Sequence, residues 1–466
     1  MELLSAPSLT HSQSWNLASE FEKAQLYASG SSTGTASPRS VWSSDDSRST
    51  FQETPVSAYS NTEDYFSNVR EDETPVVAVI GVGYVGLHLA TAFSKHYKVV
   101  AFDVSDTRLA AVKKNLPDQT DIYLTSDETC LTPATHFLVA VPTPLVAGTT
   151  DIDTSIIQAS LNTISRNVRP GATVIIESSV SVGMTRSLLT EMVIKYRLQA
   201  GMSPERVDPG RTYPPYESIP KIISGLDDVA PDSLKYIQKL YGRVFENIVP
   251  VSCPEVAEMT KLYENCQRMV CIAYANEMAD ACQDLNIDAF EVSRAAATKP
   301  FGYLPFTPSA GVGGHCIPVN PSYLFNVSEF PLLRHATDRM NKRPAALAER
   351  TMQRLIHGNP TCSSKRKYKI LVVGVAFKPG QELTTNSPGV GIINHLLDKW
   401  DSHVSFADPL VSEDALPYVP KLDDAQEWNR EKLNAFDAIL IVMKQVGLNL
   451  DILGDLENVL IEQYCA

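Results

Sequence analysis

From residue 76 onward the chain alternates short, wholly apolar runs with stretches of helical period. The runs TPVVAVI, YKVVAFDV, THFLVAV and ATVIIESSV are apolar at consecutive positions, not at every second one. That pattern belongs to strands buried on both faces, as in a parallel sheet covered by helices. It predicts a doubly wound α/β fold. The same grammar returns near the C-terminus in YKILVVGVAF, SHVSFADP and FDAILIVM, the first turning on Gly374 and the second ending on Asp408. Two Rossmann-like domains are therefore expected, the second without a full glycine fingerprint.

Between them, EVAEMTKLYENCQRMVCIAYANEMADACQDL contains neither glycine nor proline. It predicts one helix of about thirty residues, roughly 45 Å long at ~1.5 Å per residue. Its apolar positions run around much of the circumference, as in a helix buried between domains or between subunits of a homodimer or higher homo-oligomer. The expected organisation is a first α/β domain over 75–250, a central helical segment over 251–350 and a C-terminal α/β domain over 365–466. Residues 1–74, dense in Ser, Thr, Asp and Glu, show no sustained apolar period and predict a disordered tail.

Composition narrows the partners. The 466 residues carry a formal charge of −14, which argues against nucleic acid and anionic membrane as partners. The N-terminus lacks the basic start and apolar stretch of a signal peptide, and no run is long enough to span a bilayer. A cytosolic location is expected. Eight cysteines without a Cys-x-x-Cys pair suit neither zinc ligation nor a small disulfide scaffold.

The first chemical signal is G-x-G-x-x-G at Gly81, Gly83 and Gly86, enclosing Tyr84 and Val85, directly after one predicted strand and before a helix. Such glycines permit a tight turn and let backbone amides approach a pyrophosphate at the helix N-terminus. Alone they often only pack a helix on a strand. Here Asp103 closes the second strand, where an acid accepts the ribose hydroxyls and repels a 2′-phosphate, favouring NAD over NADP. Arg108 is a candidate adenine or phosphate contact, though helix arginines are commonly just solvated.

The second signal is PSAGVGGHCIPVNPSYL. Cys316 lies in an irregular loop among Gly311, Gly313, Gly314, Pro318 and Pro321, unlike a structural cysteine on a regular element. Crowded glycines suit a backbone lying against a ligand. The neighbouring His315 has no assigned role. On the long helix, Lys261 and Asn265 are four residues apart and share a face. A lysine there normally snorkels to solvent; facing a cleft, it could stabilise an oxyanion. Glu205, in the loop SPERVDPG, stands where acid–base residues commonly occur, although a loop glutamate without partners is usually solvated.

The segments GVGYVG, VPTP, ESSV, PERVDPG, EVAEMTKLYEN, GVGGHCIPV and GVAFKPG with NSP follow one another in an order that resembles the UDP-glucose/GDP-mannose dehydrogenase family from residue 76 to about 445. SPERVDPG and GVGGHCIPV look most like its UDP-N-acetylhexosamine branch. The resemblance implies oxidation of a nucleotide sugar's C6 alcohol to a carboxylate with two NAD. It makes Cys316 the nucleophile that holds the aldehyde covalently and Lys261 the stabiliser of oxyanion charge. Asn265 and Glu205 would position or activate water and alcohol. Thr143 and Ser179, the latter standing for the usual Thr, would border the cofactor, and Gly313, Phe377 and Lys378 the nucleotide sugar. The chain departs from the family at Asn320, where Asp is usual, and at Thr385, where Arg is usual.

Two other readings compete. A two-domain β-hydroxyacid dehydrogenase would transfer one hydride and need neither a second α/β domain nor an essential cysteine. A degenerate homologue would bind NAD or nucleotide sugar as a scaffold.

Overall fold

The computed structural model describes residues 74–116, 121–146, 148–358 and 367–465. The expectation for the N-terminal tail lies outside the described residues. The first sheet has eight strands in the order β3-β2-β1-β4-β5-β6-β7-β8. These are β1 (Val76–Ile80), β2 (Lys98–Phe102), β3 (Ile122–Thr125), β4 (His136–Val139), β5 (Thr173–Ile176), β6 (Gln199–Met202), β7 (Lys221–Gly225) and β8 (Ile248–Pro250). All neighbours pair in parallel except β6 and β7. The helices α1 (Tyr84–Ser94), α2 (Asp106–Asn115), α3 (Ser155–Asn167), α4 (Met184–Tyr196) and α5 (Ser233–Tyr241) cover it. One face packs Phe137, Val174 and Leu189, the other Leu89, Phe93 and Tyr241, so the strands are buried on both sides.

Helix α6 (Pro254–Asp284) follows β8 directly. Pro254 opens it, because the proline ring fixes a helical φ where no amide donor is needed. The central segment continues through α7 (Ala289–Ala296), α8 (Asn320–Phe325) and α9 (Pro331–Gly358). Leu262, Met269, Tyr323, Leu324 and Met340 form its core. The expected segment end at residue 350 falls inside α9.

The second sheet has the order β10-β9-β11-β12, all parallel, from β9 (Lys369–Val373), β10 (His403–Ala407), β11 (Ala438–Ile441) and β12 (Leu460–Gln463). Helices α10 (Pro388–Lys399) and α11 (Arg430–Leu433) belong to it. In this sheet Asp408 does structurally what Asp103 does in the first. Its Oδ2 accepts from the Val375 and Ala376 amides at 2.9 and 3.1 Å, and it is wholly buried. A β-hydroxyacid dehydrogenase of two domains has no counterpart of this second sheet. Among the described residues no helix is long and apolar enough to cross a membrane.

Candidate active site

The first sheet reverses its strand order between β1 and β4, and in open α/β sheets ligands bind beyond the C-terminal strand ends at such a point. Three glycines turn β1 into α1, each for its own reason. Gly81 has φ +90°, and a Cβ there would lie 2.9 Å from the Ala140 carbonyl oxygen. A Cβ on Gly86 would lie 1.8 Å from the Gly81 carbonyl oxygen, so helix and turn touch backbone to backbone. A Cβ on Gly83 would meet no protein atom within 4 Å. Packing thus leaves the α1 N-terminus bare, as a dinucleotide pyrophosphate requires.

Asp103 accepts from the Val82 amide at 2.8 Å and the Ser105 amide at 2.9 Å, one on each oxygen. Each oxygen keeps a second lone pair for a ribose hydroxyl. These features fit NAD. Val85 is half-buried on α1, the exposed Arg108 side chain lies on α2, and the Tyr84 hydroxyl donates to the Asp208 carbonyl at 3.4 Å. Thr143, after β4, donates to the Ser179 carbonyl at 2.7 Å. Tyr323 of α8 donates to the Thr143 carbonyl and its hydroxyl lies 3.1 Å from Thr143 Oγ1, which ties the cofactor crevice to the cysteine loop.

Cys316 is exposed at the start of the turn into α8, its carbonyl accepting from the Val319 and Asn320 amides at 3.2 and 2.9 Å. The contrast with Cys266 is chemical. That thiol is buried in α6, where desolvation pushes it up to about 12 and makes it inert. Upstream, Asn276 of α6 accepts from the Ser309 amide at 2.7 Å and Arg343 of α9 donates to the Ser309 carbonyl at 2.9 Å. The loop is therefore gripped from two helices before it reaches the cysteine.

Lys261 and Asn265 are both buried, 8% and 4% exposed, on the side of α6 that faces this loop. The Asn265 amide donates to Asn320 Oδ1 at 2.6 Å. Lys261 does not snorkel: its ammonium donates to the backbone carbonyl of Glu205. Burial pulls Lys261 below its ordinary value, and its electrostatic interactions with Cys316, Glu205 and Glu264 oppose that pull. The structure thus brings Cys316, Lys261, Asn265, Asn320 and the Glu205 backbone into one neighbourhood.

The Glu205 side chain is the surprise of the site. It is buried, with one oxygen accepting from the Arg206 and Val207 amides, the latter at 2.7 Å. The other accepts from the Tyr216 hydroxyl at 2.7 Å and faces the Lys221 ammonium at 3.4 Å. Burial alone would raise this carboxyl, but Lys221, Tyr216 and Lys261 outweigh it and hold the group below its ordinary value. A solvated loop glutamate is not what the fold builds.

The crowded glycines beside Cys316 also serve the protein itself. A Cβ on Gly313 would lie 3.0 Å from Phe377 Cβ, and one on Gly314 2.8 Å from the Phe377 ring. The Gly314 amide donates to the Thr385 carbonyl at 2.9 Å, and Asn386 donates to the Gly314 carbonyl at 3.0 Å. Lys378 pairs with Asp208 at 2.6 Å and donates to the Pro209 carbonyl at 2.8 Å, so the PERVDPG loop meets the second α/β domain there. Four residues that sequence reasoning passed over, Glu177, Tyr216, Lys221 and Tyr323, hold this geometry through long-range contacts. Only the acid in ESSV, just past a wholly apolar strand, carried a local hint.

This arrangement defines an NAD-dependent oxidoreductase with a cysteine loop held by a central helix and a second α/β domain. Residues 76–245 match the NAD binding domain of the UDP-glucose/GDP-mannose dehydrogenase family, 255–342 its central domain and 371–449 its UDP binding domain. The chain belongs to that family, and is an NAD-dependent nucleotide-sugar dehydrogenase. It is 31% identical to the protein CapL of Staphylococcus aureus, covering 69% of this chain and 79% of that one. It is also 31% identical to a UDP-N-acetyl-D-glucosamine 6-dehydrogenase of Pseudomonas aeruginosa, covering 73% and 84%. Among solved structures, a UDP-D-ManNAc dehydrogenase from Pyrococcus horikoshii superposes with a TM-score of 0.72 at 25% identity, covering 84% of this chain and 99% of that one.

Proposed function

We propose that the chain oxidises the C6 alcohol of a UDP-N-acetylhexosamine to the uronate, with Cys316 carrying the sugar covalently between two oxidations. The observation that carries this reading is the meeting of α6 with the cysteine loop, where Lys261 lies in the field of an exposed thiol and Asn265 bonds Asn320. The names of the relatives support the sugar class.

NAD, when bound, would supply the hydride acceptor for each oxidation at C6. Gly81, Gly83, Gly86 and Asp103 hold it, with Tyr84, Val85, Arg108, Thr143 and Ser179 at its border. An aldehyde is a poor hydride donor until a nucleophile adds, so Cys316, having given its proton to solvent, bonds through sulfur to C6 and the carbonyl electron pair moves to oxygen. The pre-placed Lys261 ammonium offsets that oxyanion. Loss of hydride from the tetrahedral adduct leaves a thioester on Cys316. Water, oriented by the Asn265–Asn320 pair, then adds to it and the sulfur leaves. Glu205 acts through its backbone carbonyl, which aims Lys261. Gly313, Phe377 and Lys378 form the wall for the nucleotide sugar.

A self-association face on α6 belongs to the same reading: Tyr263, Tyr274 and Met278 are exposed along this helix. Large apolar side chains in sequence along one helix suit a homo-oligomer contact.

The experiment is NADH release across a panel of UDP- and GDP-sugars with product analysis. Uronate from UDP-N-acetylhexosamines is expected. NAD binding without turnover on any nucleotide sugar would replace the enzyme reading with the scaffold one.

A further inference from the structure

Glu205 stands between two lysines. Its backbone carbonyl receives Lys261, and its carboxylate faces Lys221. Lys221 is 2% exposed and its ammonium also lies 2.6 Å from Glu177, which is fully buried, and 3.4 Å from the Pro204 carbonyl. The Tyr241 hydroxyl closes the far side of Glu177. Topology explains the meeting. Because β7 runs antiparallel to β6, its first residue, Lys221, stands at the end of the sheet where β5 has just finished before Glu177 and β6 before the 203–208 loop.

A buried charge cluster is weak evidence of stability, since desolvation consumes most of the attraction. This one is nonetheless held together. Burial, which would lower Lys221, is outweighed by Glu177 and Glu205, and its ammonium stays above its ordinary value. Burial drives Glu177 up to about 7 against the pull of Lys221.

We infer that Lys221 is a positioning residue: by bridging Glu177 and Glu205 it fixes the 203–208 loop, so that the Glu205 carbonyl holds Lys261 toward Cys316. This rests on the reading in which Lys261 and Cys316 are the reacting pair.

The test is Lys221→Met beside Lys221→Arg, with the double variant Lys221→Met/Glu177→Gln as the folded substitute should the single change fail to fold. Two readouts are taken. One is steady-state NADH release on the best UDP-sugar; the other is the rate at which iodoacetamide alkylates the Cys316 peptide at fixed pH, followed by mass spectrometry. Expected are a loss of kcat of at least about tenfold with KM and NAD affinity kept, slower Cys316 alkylation, and substantial recovery of both in Lys221→Arg. Wild-type kcat and alkylation in a folded Lys221→Met or double variant would overturn the inference. So would a loss shared equally by kcat, NAD affinity and melting temperature with no recovery by Arg. A wild type that oxidises no nucleotide sugar sinks the proposed function instead, and the alkylation rates still decide the role of Lys221.

Discussion

Asn265 donates its side-chain amide to Oδ1 of Asn320 across 2.6 Å, tying the long helix to the turn that begins at Cys316. The bond uses only the acceptor oxygen of Asn320, and an aspartate would supply that oxygen equally well. What asparagine cannot supply is a proton acceptor for the hydrolytic water. Glu205 does not compensate, because its carboxylate is filled by two amides, a tyrosine and a lysine. The thioester should therefore hydrolyse slowly in the wild type. A fast burst of NADH followed by slow turnover is expected, and Asn320→Asp should raise the slow phase by up to ~10²-fold. A wild type without a burst, unaffected by the substitution, would show that another base serves the step.

Cys316→Ser should keep nucleotide-sugar binding and lose uronate. A serine hydroxyl in the same place is a much weaker nucleophile toward an aldehyde at neutral pH. Wild type should release two NADH for each sugar consumed. One NADH with free aldehyde as product would sink the covalent mechanism.

The glycine loop separates packing from cofactor binding. Gly83→Ala meets no protein atom, at a φ of −76° that alanine accepts, so its melting temperature should match wild type. Its new methyl faces the α1 N-terminus, and NAD affinity should fall at least about tenfold. Gly86→Ala, whose Cβ would collide with the Gly81 carbonyl, should lose both affinity and melting temperature. Equal thermal loss in the two variants would disprove the distinction.

Asp103 should make the enzyme select NAD. Its carboxylate stands at the end of β2 with both oxygens partly free, so a 2′-phosphate would meet like charge at short range. The ratio of kcat/KM for NAD and NADP reads this directly, and Asp103→Asn should narrow it. A wild type preferring NADP would place the ribose elsewhere.

Much of the fold was legible because it is written locally. Consecutive apolar residues in VVAVI and ILVVG announce strands buried on both faces, and the gap without Gly or Pro announces α6. The strands that escaped are β3, β6, β7, β8 and β12, all of them short, and two lack that signature outright. β3 is a partly exposed edge strand, and β6 reads QAGM, with no β-branched residue. Its neighbour β7 runs antiparallel, which no local pattern dictates. The site follows the same division. Glycines, Asp103, Cys316 and the α6 pair stand in motifs, whereas Glu205 draws its meaning from Lys221 and Tyr216. Those partners reach it only through strand order and a folded loop, so its burial could not be read from PERVDPG itself.

The last prediction concerns acid stability. His136 opens β4, with Nδ1 2.7 Å from Thr135 Oγ1. Burial drives its imidazole down to about 4, and the nearby Arg169 and Lys239 add to the effect. The folded chain therefore refuses a proton that the unfolded chain takes up below its ordinary value of about 6.5. The contribution of His136 is complete above that pH and is lost as pH falls toward 4. Between pH 7.5 and 5 the loss comes to about 2 kcal/mol. Glu177 acts with the opposite sign. Its folded value near 7 exceeds the ordinary carboxylate value, so its contribution grows as pH falls through that window. The two contributions oppose each other in the wild-type curve, and the difference between wild type and His136→Gln carries the information, because Glu177 is common to both. Urea unfolding of the two proteins at pH 7.5 and pH 5 should show the variant gaining about 2 kcal/mol relative to wild type on acidification. A difference that does not change with pH would mean that the folded protein admits the proton on His136.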